Sequence, residues 1–340
     1  MSDETIIDVV VGVGLFLLNL AYFLGYLVLF WALRRLSRLH STFLLFVSSS
    51  LADLLFFVQY MLLGVAIAGQ HFFFDIARYI PRLVQFCLIA VPVAASAYHY
   101  GLLALNRFCA VFFYTRPVES IFTARVSICS AAAVWAFAIA ARGYEIAFYT
   151  QDNFVHYEPS KYGFDVGNYT VFVESGYAFW RTIDNGVPIV LLVVVYGAII
   201  AALVLHKGAR LAQSGTVAKL QRRVLAVGCS NALIDLLCNA LFMSGFATTK
   251  WRGLVANVIY VHKYASNGAL LLMFRRARAS PWSCPAPVSQ CLTSAPFSTL
   301  VREEYLKTLR RLLRMKEAGA SQLAKRPRTV RTTPLPKERE

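Results

Sequence analysis

Seven long apolar stretches run through this chain of 340 residues, and they limit the folds that are open to it. Each stretch has about 20 residues or more, enough for an α-helix to cross the roughly 30 Å hydrocarbon core of a bilayer. Lipid offers backbone N–H and C=O groups no partners, so segments that cross it must be helical. The sequence therefore predicts an all-α membrane protein, a seven-transmembrane helix bundle. The predicted spans are 6–33, 41–68, 79–105, 125–148, 183–206, 224–247 and 253–274.

The distribution of charge predicts how the bundle is oriented. The net charge of +16 could suggest nucleic acid, but 58% of the residues are hydrophobic and only 15% are charged, as in a membrane protein. Most of the 34 Lys and Arg residues lie in alternate loops and in the segment after Phe274. The positive-inside rule then predicts an N-terminus outside and a cytoplasmic C-terminus, and leaves no need for a nucleic-acid partner. The sequon Asn168-Tyr169-Thr170 lies on the outer side, so Asn168 is a predicted glycosylation site.

The segment after the last span differs from the bundle in composition. We divide the chain into a seven-helix domain at 1–274 and a basic cytoplasmic tail at 275–340. Proline and serine at 281–298 are typical of a flexible linker. Residues 300–316 alternate apolar and basic faces, which predicts a short amphipathic helix suited to the anionic inner leaflet of the membrane or to a calmodulin-like protein. A solvated helix that forms only part of the time is the alternative.

Cysteine residues and polar residues inside the spans indicate where disulfides, bound groups or functional sites are expected. Of seven Cys residues, only Cys87 approaches the outer half of a span, and the outer loops offer it no partner, so we expect a free thiol in the core. No metal-ligand cluster, P-loop or nucleophile–base pattern occurs, so we expect no cofactor, no metal site and no enzyme. Intramembrane polar residues are costly and mark functional positions. These are Asp53, Ser96, His99, Asp235, Asn239, Lys263 and Asn267.

Five short motifs follow one another along the spans in a recognisable order. They are Ser50-Leu51-Ala52-Asp53-Leu54, Asn106-Arg107-Phe108, Trp135, Pro188 with Tyr196, and Asn267-Gly268-Ala269-Leu270-Leu271. Together they resemble a rhodopsin-like (class A) G-protein-coupled receptor, in which Asp-Arg-Tyr and Asn-Pro-x-x-Tyr stand at the second and the last of these places. Asn-Arg-Phe followed by Cys-Ala-Val-Phe-Phe is similar to the serpentine chemoreceptors of nematodes, class x.

The chain also departs from that family pattern. The first span has Gly25-Tyr26 where an asparagine is usual, and the sixth span contains no proline. The disulfide between the third helix and the outer loop has no partners in this sequence. These departures concern the activation mechanism more than the fold.

The resemblance implies a function and a set of partners. It implies a multi-pass chemosensory receptor of the plasma membrane that binds a small organic ligand from outside and activates a heterotrimeric G protein. The domain at 1–274 would be the receptor domain, and membrane lipid, arrestin or a calmodulin-like protein would bind the tail. A non-sensory peptide or lipid receptor of the same fold is the alternative.

The resemblance also assigns residues to three regions. G-protein coupling would fall on Asn106, Arg107, Tyr196, Arg222 and Arg223. The intramembrane polar network would comprise Asp53, Ser96, Lys263, Asn267 and Asp235. Ligand-binding candidates are Gln85, Ile89, Val93, Asp184 and Asn257. Ile89 stands where amine receptors have an aspartate, so a mostly apolar pocket for an uncharged organic ligand is favoured. Alternative roles stay open: Arg107 could extend to lipid phosphate, Arg222 and Arg223 could face lipid, and Asp184 could pair with Arg181.

Lys263 allows two further interpretations. An opsin-like photoprotein would use it for a Schiff base, but it lies four residues before Asn267 where opsins have six, and two residues turn a helix by about 200°. Rhodopsin-like receptors often hold a sodium ion on the helix-two aspartate, and we expect the Lys263 ammonium to replace it in a buried pair with Asp53. Pairing with Asp235 is the alternative. A seven-helix transporter would show two related halves, which this sequence lacks.

Overall fold

The computed structural model of the chain describes most of a helical bundle, one hairpin and part of the tail. The helices are α1 (Asp3–Leu36), α2 (Thr42–Gly69), α3 (Arg82–Phe112), α4 (Ala124–Phe148), α5 (Tyr177–Leu205) and α6 (Lys250–Met273). Strands β1 (Val155–Glu158) and β2 (Gly163–Val166) pair antiparallel around the 3₁₀ turn Pro159–Lys161. The described residues are 2–39, 41–70, 80–112, 121–148, 155–166, 174, 177–205, 230, 233–234, 236–238, 249–273 and 302–311.

Six of the predicted spans correspond to described helices. Spans one to five match α1 to α5, and span seven matches α6. The sixth span, 224–247, lies largely outside the described residues, and those of its residues that are described are helical. Four described helices are long and apolar enough to cross a membrane, and α5 contributes a shorter apolar segment, Gly186–Ala201. The helical membrane architecture is therefore confirmed, whereas the seven crossings and the orientation stay predictions. The β-hairpin between α4 and α5 corrects the all-α expectation locally.

Local sequence explains how α1 begins and ends. The Ser2 hydroxyl accepts a hydrogen bond from Thr5 N at 3.3 Å and caps the first turn. Acidic residues in the first turn and Arg34 and Arg35 in the last complement the helix dipole. After α1 the chain tightens into a turn with i→i−3 bonds, in which Arg38 N donates to Arg35 O at 3.2 Å and Leu39 N donates to Leu36 O at 2.9 Å.

Two glycines let α1 and α2 pack in backbone contact. A Cβ on Gly12 would lie 2.6 Å from Gly64 O, and a Cβ on Gly64 would lie 2.7 Å from Gly12 O. Small residues of this kind allow helices to approach closely in membranes. Gly14, two residues further along α1, has nothing within 4 Å of such a Cβ. The close contact is therefore confined to one face of α1.

The bundle has two ends with different partners. At the hairpin end, the starts of α1, α3 and α6 and the end of α2 meet the β-hairpin. At the tail end, the Ser41 hydroxyl donates to Phe122 O, which joins the starts of α2 and α4. There the tail helix, residues 302–311, lies against the end of α1, and Arg35 Nη1 donates to Glu304 Oε1 at 3.3 Å. Helices α1 to α4 therefore alternate in direction, and α6 starts at the hairpin end like α1 and α3.

The core sits where α1, α2, α3, the hairpin and α6 meet. Phe56, Phe57 and Tyr264 are among its most buried side chains, and Tyr305 of the tail helix packs against it. A smaller cluster joins α3 and α5 through Ala104, Leu192, Val195 and Ile199. Large apolar side chains are exposed on the outer faces of α1, α4 and α5, as expected of surfaces in contact with lipid.

Candidate functional site

A buried carboxylate lies midway along α2, at the centre of the predicted polar network. Asp53 is 3% exposed, and its Oδ1 accepts hydrogen bonds from Ser96 Oγ at 2.9 Å and Tyr100 OH at 3.2 Å. The Lys263 ammonium of α6 attracts this carboxylate electrostatically and lies 4.9 Å from the centroid of the Tyr264 ring. The fold therefore places Ser96 in hydrogen-bond contact with Asp53 and Lys263 close enough to act on the carboxylate, while the polar network as a whole stays a prediction.

The groups around Asp53 indicate how the negative charge of its buried carboxylate is compensated. A buried carboxylate is tolerated only when hydrogen bonds and an opposite charge compensate it. Two hydroxyls donate to the Asp53 carboxylate and the Lys263 ammonium attracts it, and the replacement of a sodium ion by this ammonium stays a prediction. Direct pairing of Lys263 with Asp53 stays a prediction, since Asp235 lies outside the described residues and so does the side chain of Asn267.

Tyr26 of α1 binds the backbone of α6, and it stands where the family usually has an asparagine. Its hydroxyl donates to Tyr264 O at 2.5 Å and accepts from Gly268 N at 2.7 Å. Those two backbone groups are four residues apart, the spacing at which an α-helix bonds to itself. Gly268 stands where the family has proline, and a Cβ there would lie 2.8 Å from the Tyr26 ring. The Tyr26 ring therefore occupies the space that a side chain at position 268 would need, and its hydroxyl binds the Gly268 N–H.

A hydrogen-bonded chain joins α4, α2 and α3 beside this network. Trp135 Nε1 donates to Ser48 Oγ at 3.0 Å, and Ser48 lies 2.8 Å from His99 Nε2. His99 Nδ1 lies 2.6 Å from Ala95 O, so Nδ1 carries the proton and Nε2 accepts from the serine. The predicted intramembrane His99 and Trp135 therefore have a shared structural role.

Arg107 lies at the tail end of α3, as predicted. Its guanidinium stacks 5.6 Å from the centroid of the Phe46 ring, and it interacts electrostatically with Tyr196. Tyr196 packs against the cluster between α3 and α5. Asn106 is buried, and its Nδ2 has no hydrogen-bond partner within the described part of the chain. Arg222 and Arg223 lie outside the described residues.

Two ligand-binding candidates contact the backbone of the hairpin. Gln85 Oε1 accepts from Tyr157 N at 2.8 Å, and Asn257 Nδ2 donates to Tyr162 O at 2.5 Å. Ile89 is buried in the main core, and Val93 packs against it. The side chain of Asp184 is not among those described, so ligand contact at these positions stays a prediction.

A second buried carboxylate, at the hairpin end, escaped the sequence reasoning. Asp8 accepts hydrogen bonds from the Tyr162 hydroxyl, from Gln70 Nε2 at 3.0 Å and from Lys250 Nζ at 2.6 Å. The bond to Asp8 raises the pKa of Lys250, and burial raises the pKa of the Tyr162 hydroxyl. The available signal was an acid inside an apolar span, opposite in charge to a lysine just before the last span.

The hairpin was missed as well, although the sequence carries a weak signal for it. Val155 and Tyr157 alternate with polar residues, and Pro159 and Gly163 bound the turn, which is a hairpin pattern. Each strand has only four residues, too short for periodicity to be decisive. The two buried residues of β1, Val155 and Tyr157, face the bundle.

Aromatic rings connect the hairpin with the polar network. The Phe164 ring lies 5.4 Å from Tyr60, Tyr60 lies 4.7 Å from Phe56, and Phe56 lies 3.6 Å from Tyr264. Tyr264 supplies the carbonyl that Tyr26 binds. A continuous packed path therefore runs from the hairpin through α2 to α6.

Other predicted features give mixed results. Cys87 is a free thiol as expected, but it is exposed on α3, so the expectation of a core position was wrong. Asn168 lies outside the described residues. Among the His, Cys, Asp and Glu side chains that the structure describes, no group of three could hold a metal ion.

Comparison with known proteins bears on the resemblance drawn from the motifs. No curated protein matches this chain. The family model of the serpentine-type 7TM GPCR chemoreceptor Srx matches residues 16–274, a range that begins within α1 and includes the whole of α2 to α6. This match confirms the resemblance to the serpentine chemoreceptors. The chain belongs to the Srx family of serpentine-type seven-transmembrane chemoreceptors.

Proposed function

We propose that this protein is a chemosensory receptor of the plasma membrane that binds a small organic ligand at its hairpin end and activates a heterotrimeric G protein at its tail end. Family membership supports the general function. The excess of Lys and Arg near the tail end supports a cytoplasmic tail and an external hairpin.

The arrangement around Asp53 is the observation that carries the proposal. Donors from α3, the ammonium of α6 and the hydroxyl of Tyr26 from α1 meet at or beside one buried carboxylate of α2. Such a network offers the Asp53 carboxylate more than one set of donors, so a donor from one helix can replace a donor from another. An exchange would shift α3 and α6 relative to α2, and Arg107 lies on α3 at the tail end.

The chemistry near the hairpin favours an uncharged ligand. Ile89 and Val93 supply apolar surface, and no acid lies at position 89 to hold a cationic amine. The Tyr157 hydroxyl is buried without a hydrogen-bond partner among the described residues. It is a polar anchor for a ligand that carries a hydrogen-bonding group.

G-protein coupling is assigned to Arg107. Its five N–H donors would bind backbone carbonyls of a partner helix at the tail end. Reporter cells that express the receptor, challenged with pools of small organic molecules, test this role. We expect Arg107→Ala to abolish the response of any active pool while surface expression is retained.

A matched variant separates coupling from simple loss of positive charge. Arg125 is exposed in the first turn of α4, also at the tail end, and Arg125→Ala should leave the response intact. A full response in Arg107→Ala would refute the coupling role and favour an arginine that only contacts lipid phosphate.

Epitope tags at both termini, probed with and without permeabilisation, test the orientation, and a C-terminus accessible in intact cells would contradict it.

A further inference from the structure

We propose that Asp8 is a latch that holds the β-hairpin closed over the hairpin end of the bundle, and that release of this latch admits the ligand. The admission of ligand rests on the proposed receptor function. The closure itself does not, because it follows from contacts within this chain.

Donors from three separate elements converge on the Asp8 carboxylate. They come from Gln70, which caps the end of α2, from Tyr162 of the hairpin and from Lys250 of α6. The Asp8 side chain is 5% exposed, whereas that of Lys250 is 32% exposed. The carboxylate is therefore buried beneath its donors, and it relies on them in place of water while the hairpin is closed.

The tip of the hairpin is held in an unusual backbone conformation. Tyr162 has φ 50°, in the left-handed region that a bulky residue rarely adopts. Its hydroxyl binds Asp8, its carbonyl accepts from Asn257, and its ring lies edge-on to Trp251 at 5.7 Å. A conformation of this kind persists only while surrounding contacts impose it. Loss of the Asp8 bond would therefore favour a different turn.

Close packing fixes the same tip against α6. A Cβ on Gly253 would overlap the carbonyl oxygen of Lys161, so this glycine lets the turn rest on the helix backbone. On the other side, Gln85 of α3 accepts from Tyr157 N at 2.8 Å. The hairpin is thus attached at both edges of the bundle.

All of these attachments are non-covalent and therefore reversible. The described hairpin residues, 155–166, contain no cysteine, and the four cysteines of the described helices are free. Opening requires only the exchange of hydrogen bonds with water, and Lys250 is already partly in water. The Tyr157 side chain on the inner face of the hairpin and Ile89 of α3 both belong to the main core. Opening would expose them.

Cysteine accessibility in the purified receptor, without ligand or G protein, measures the closure. The reporter is Ile89→Cys in a Cys87→Ser background, reacted with a charged methanethiosulfonate and read by mass spectrometry of its own peptide. We expect Asp8→Asn to raise the modification rate at position 89 by about tenfold or more, the factor expected for loss of a charge-assisted hydrogen bond. Lys250→Met should raise it less and serves as the second test if Asp8→Asn folds poorly.

Two controls make the result specific. Asp165→Asn removes an ion pair within the hairpin, Lys161 to Asp165 at 2.5 Å, and should leave the rate unchanged. A second reporter, Ala104→Cys, is buried near the tail end and should not respond to Asp8→Asn. An unchanged rate at position 89 would overturn the latch, and so would an equal rise at both reporters, since that means general loosening. Either result leaves the proposed signalling function untouched.

Discussion

Two aspartates are buried in the described part of the bundle, and their charges are compensated in different ways. Asp8, at the hairpin end, is in direct contact with the ammonium of Lys250 at 2.6 Å and is bound by donors from α2 and the hairpin as well. Asp53, in the middle of the bundle, accepts from Ser96 and Tyr100, which both lie on α3. Lys263 attracts it while its ammonium rests against the Tyr264 ring.

This difference indicates two kinds of movement. Water can reach the donors of Asp8 as soon as the hairpin lifts, because the Lys250 side chain is 32% exposed, so the cluster can open and close. Asp53 and Lys263 are only 3% and 8% exposed, so bulk water has less access to this carboxylate than to the Lys250 side chain. Burial at the deep site therefore favours the exchange of one protein donor for another. Opening of the hairpin at Asp8 is suited to the admission of a ligand, and exchange of donors at Asp53 is suited to the transmission of a signal between helices.

Removal of the deep ammonium should have the largest effect. Lys263→Met would leave the Asp53 carboxylate without its opposite charge and should lower the free energy of unfolding by about 3–5 kcal/mol, measured as a loss of thermal stability in detergent. The double variant Asp53→Asn with Lys263→Met should recover much of this loss, because no charge remains to compensate. Recovery with Asp235→Asn in place of Asp53→Asn would instead identify Asp235 as the partner of Lys263.

Two glycine-to-alanine changes beside Tyr26 should have opposite signs. Gly268→Ala places a methyl 2.8 Å from the Tyr26 ring, and overpacking of this kind should destabilise the bundle by about 1–3 kcal/mol. Gly25→Ala, where a Cβ meets nothing within 4 Å, should be neutral or stabilise by up to about 1 kcal/mol. Thermal melts of the two variants provide the comparison. Equal melting temperatures would mean that Tyr26 does not constrain α6.

The latch should have a smaller effect on stability, together with a defined pH dependence. Lys250→Met should cost about 1 kcal/mol, since Asp8 keeps two donors and the lysine is partly exposed. The pKa of Lys250 is raised by Asp8, so its contribution is complete below the ordinary lysine pKa of about 10.4 and is lost as pH rises through the higher value. Among the described residues, Asp8 of α1 and Tyr162 of the hairpin are the titratable groups that act on the Lys250 ammonium.

Accessibility at position 89 gives the corresponding readout. The rate at which the cysteine at position 89 is modified, after correction for the fraction of thiolate at each pH, should stay constant from about pH 7 to 9 and increase at higher pH. The pKa of the Tyr162 hydroxyl is raised too, so both groups keep their closed-state charge over the neutral range. A corrected rate that rises between about pH 7 and 9 would contradict this assignment.

The sequence predicted the parts of this molecule that depend on regular patterns. Apolar length located the described helices, and spacing from Arg107 placed Ser96 against Asp53. The latch was not predictable in this way, because Asp8 and Lys250 come from opposite ends of the bundle sequence and meet only when α1, α2 and α6 assemble. Tyr26 was noted only as a missing asparagine, since its bonds to the α6 backbone leave no side-chain pattern.

Agonist dose–response curves for two variants test the division between admission and transmission most directly. Asp8→Asn should lower the half-maximal concentration and leave the maximal response unchanged, because a larger fraction of receptors is open to ligand. Tyr100→Phe removes one donor to Asp53 and should change the maximal response with little shift in the half-maximal concentration. If both variants shifted the half-maximal concentration in the same direction, or both changed the maximal response in the same direction, separate roles for the two aspartates would be contradicted.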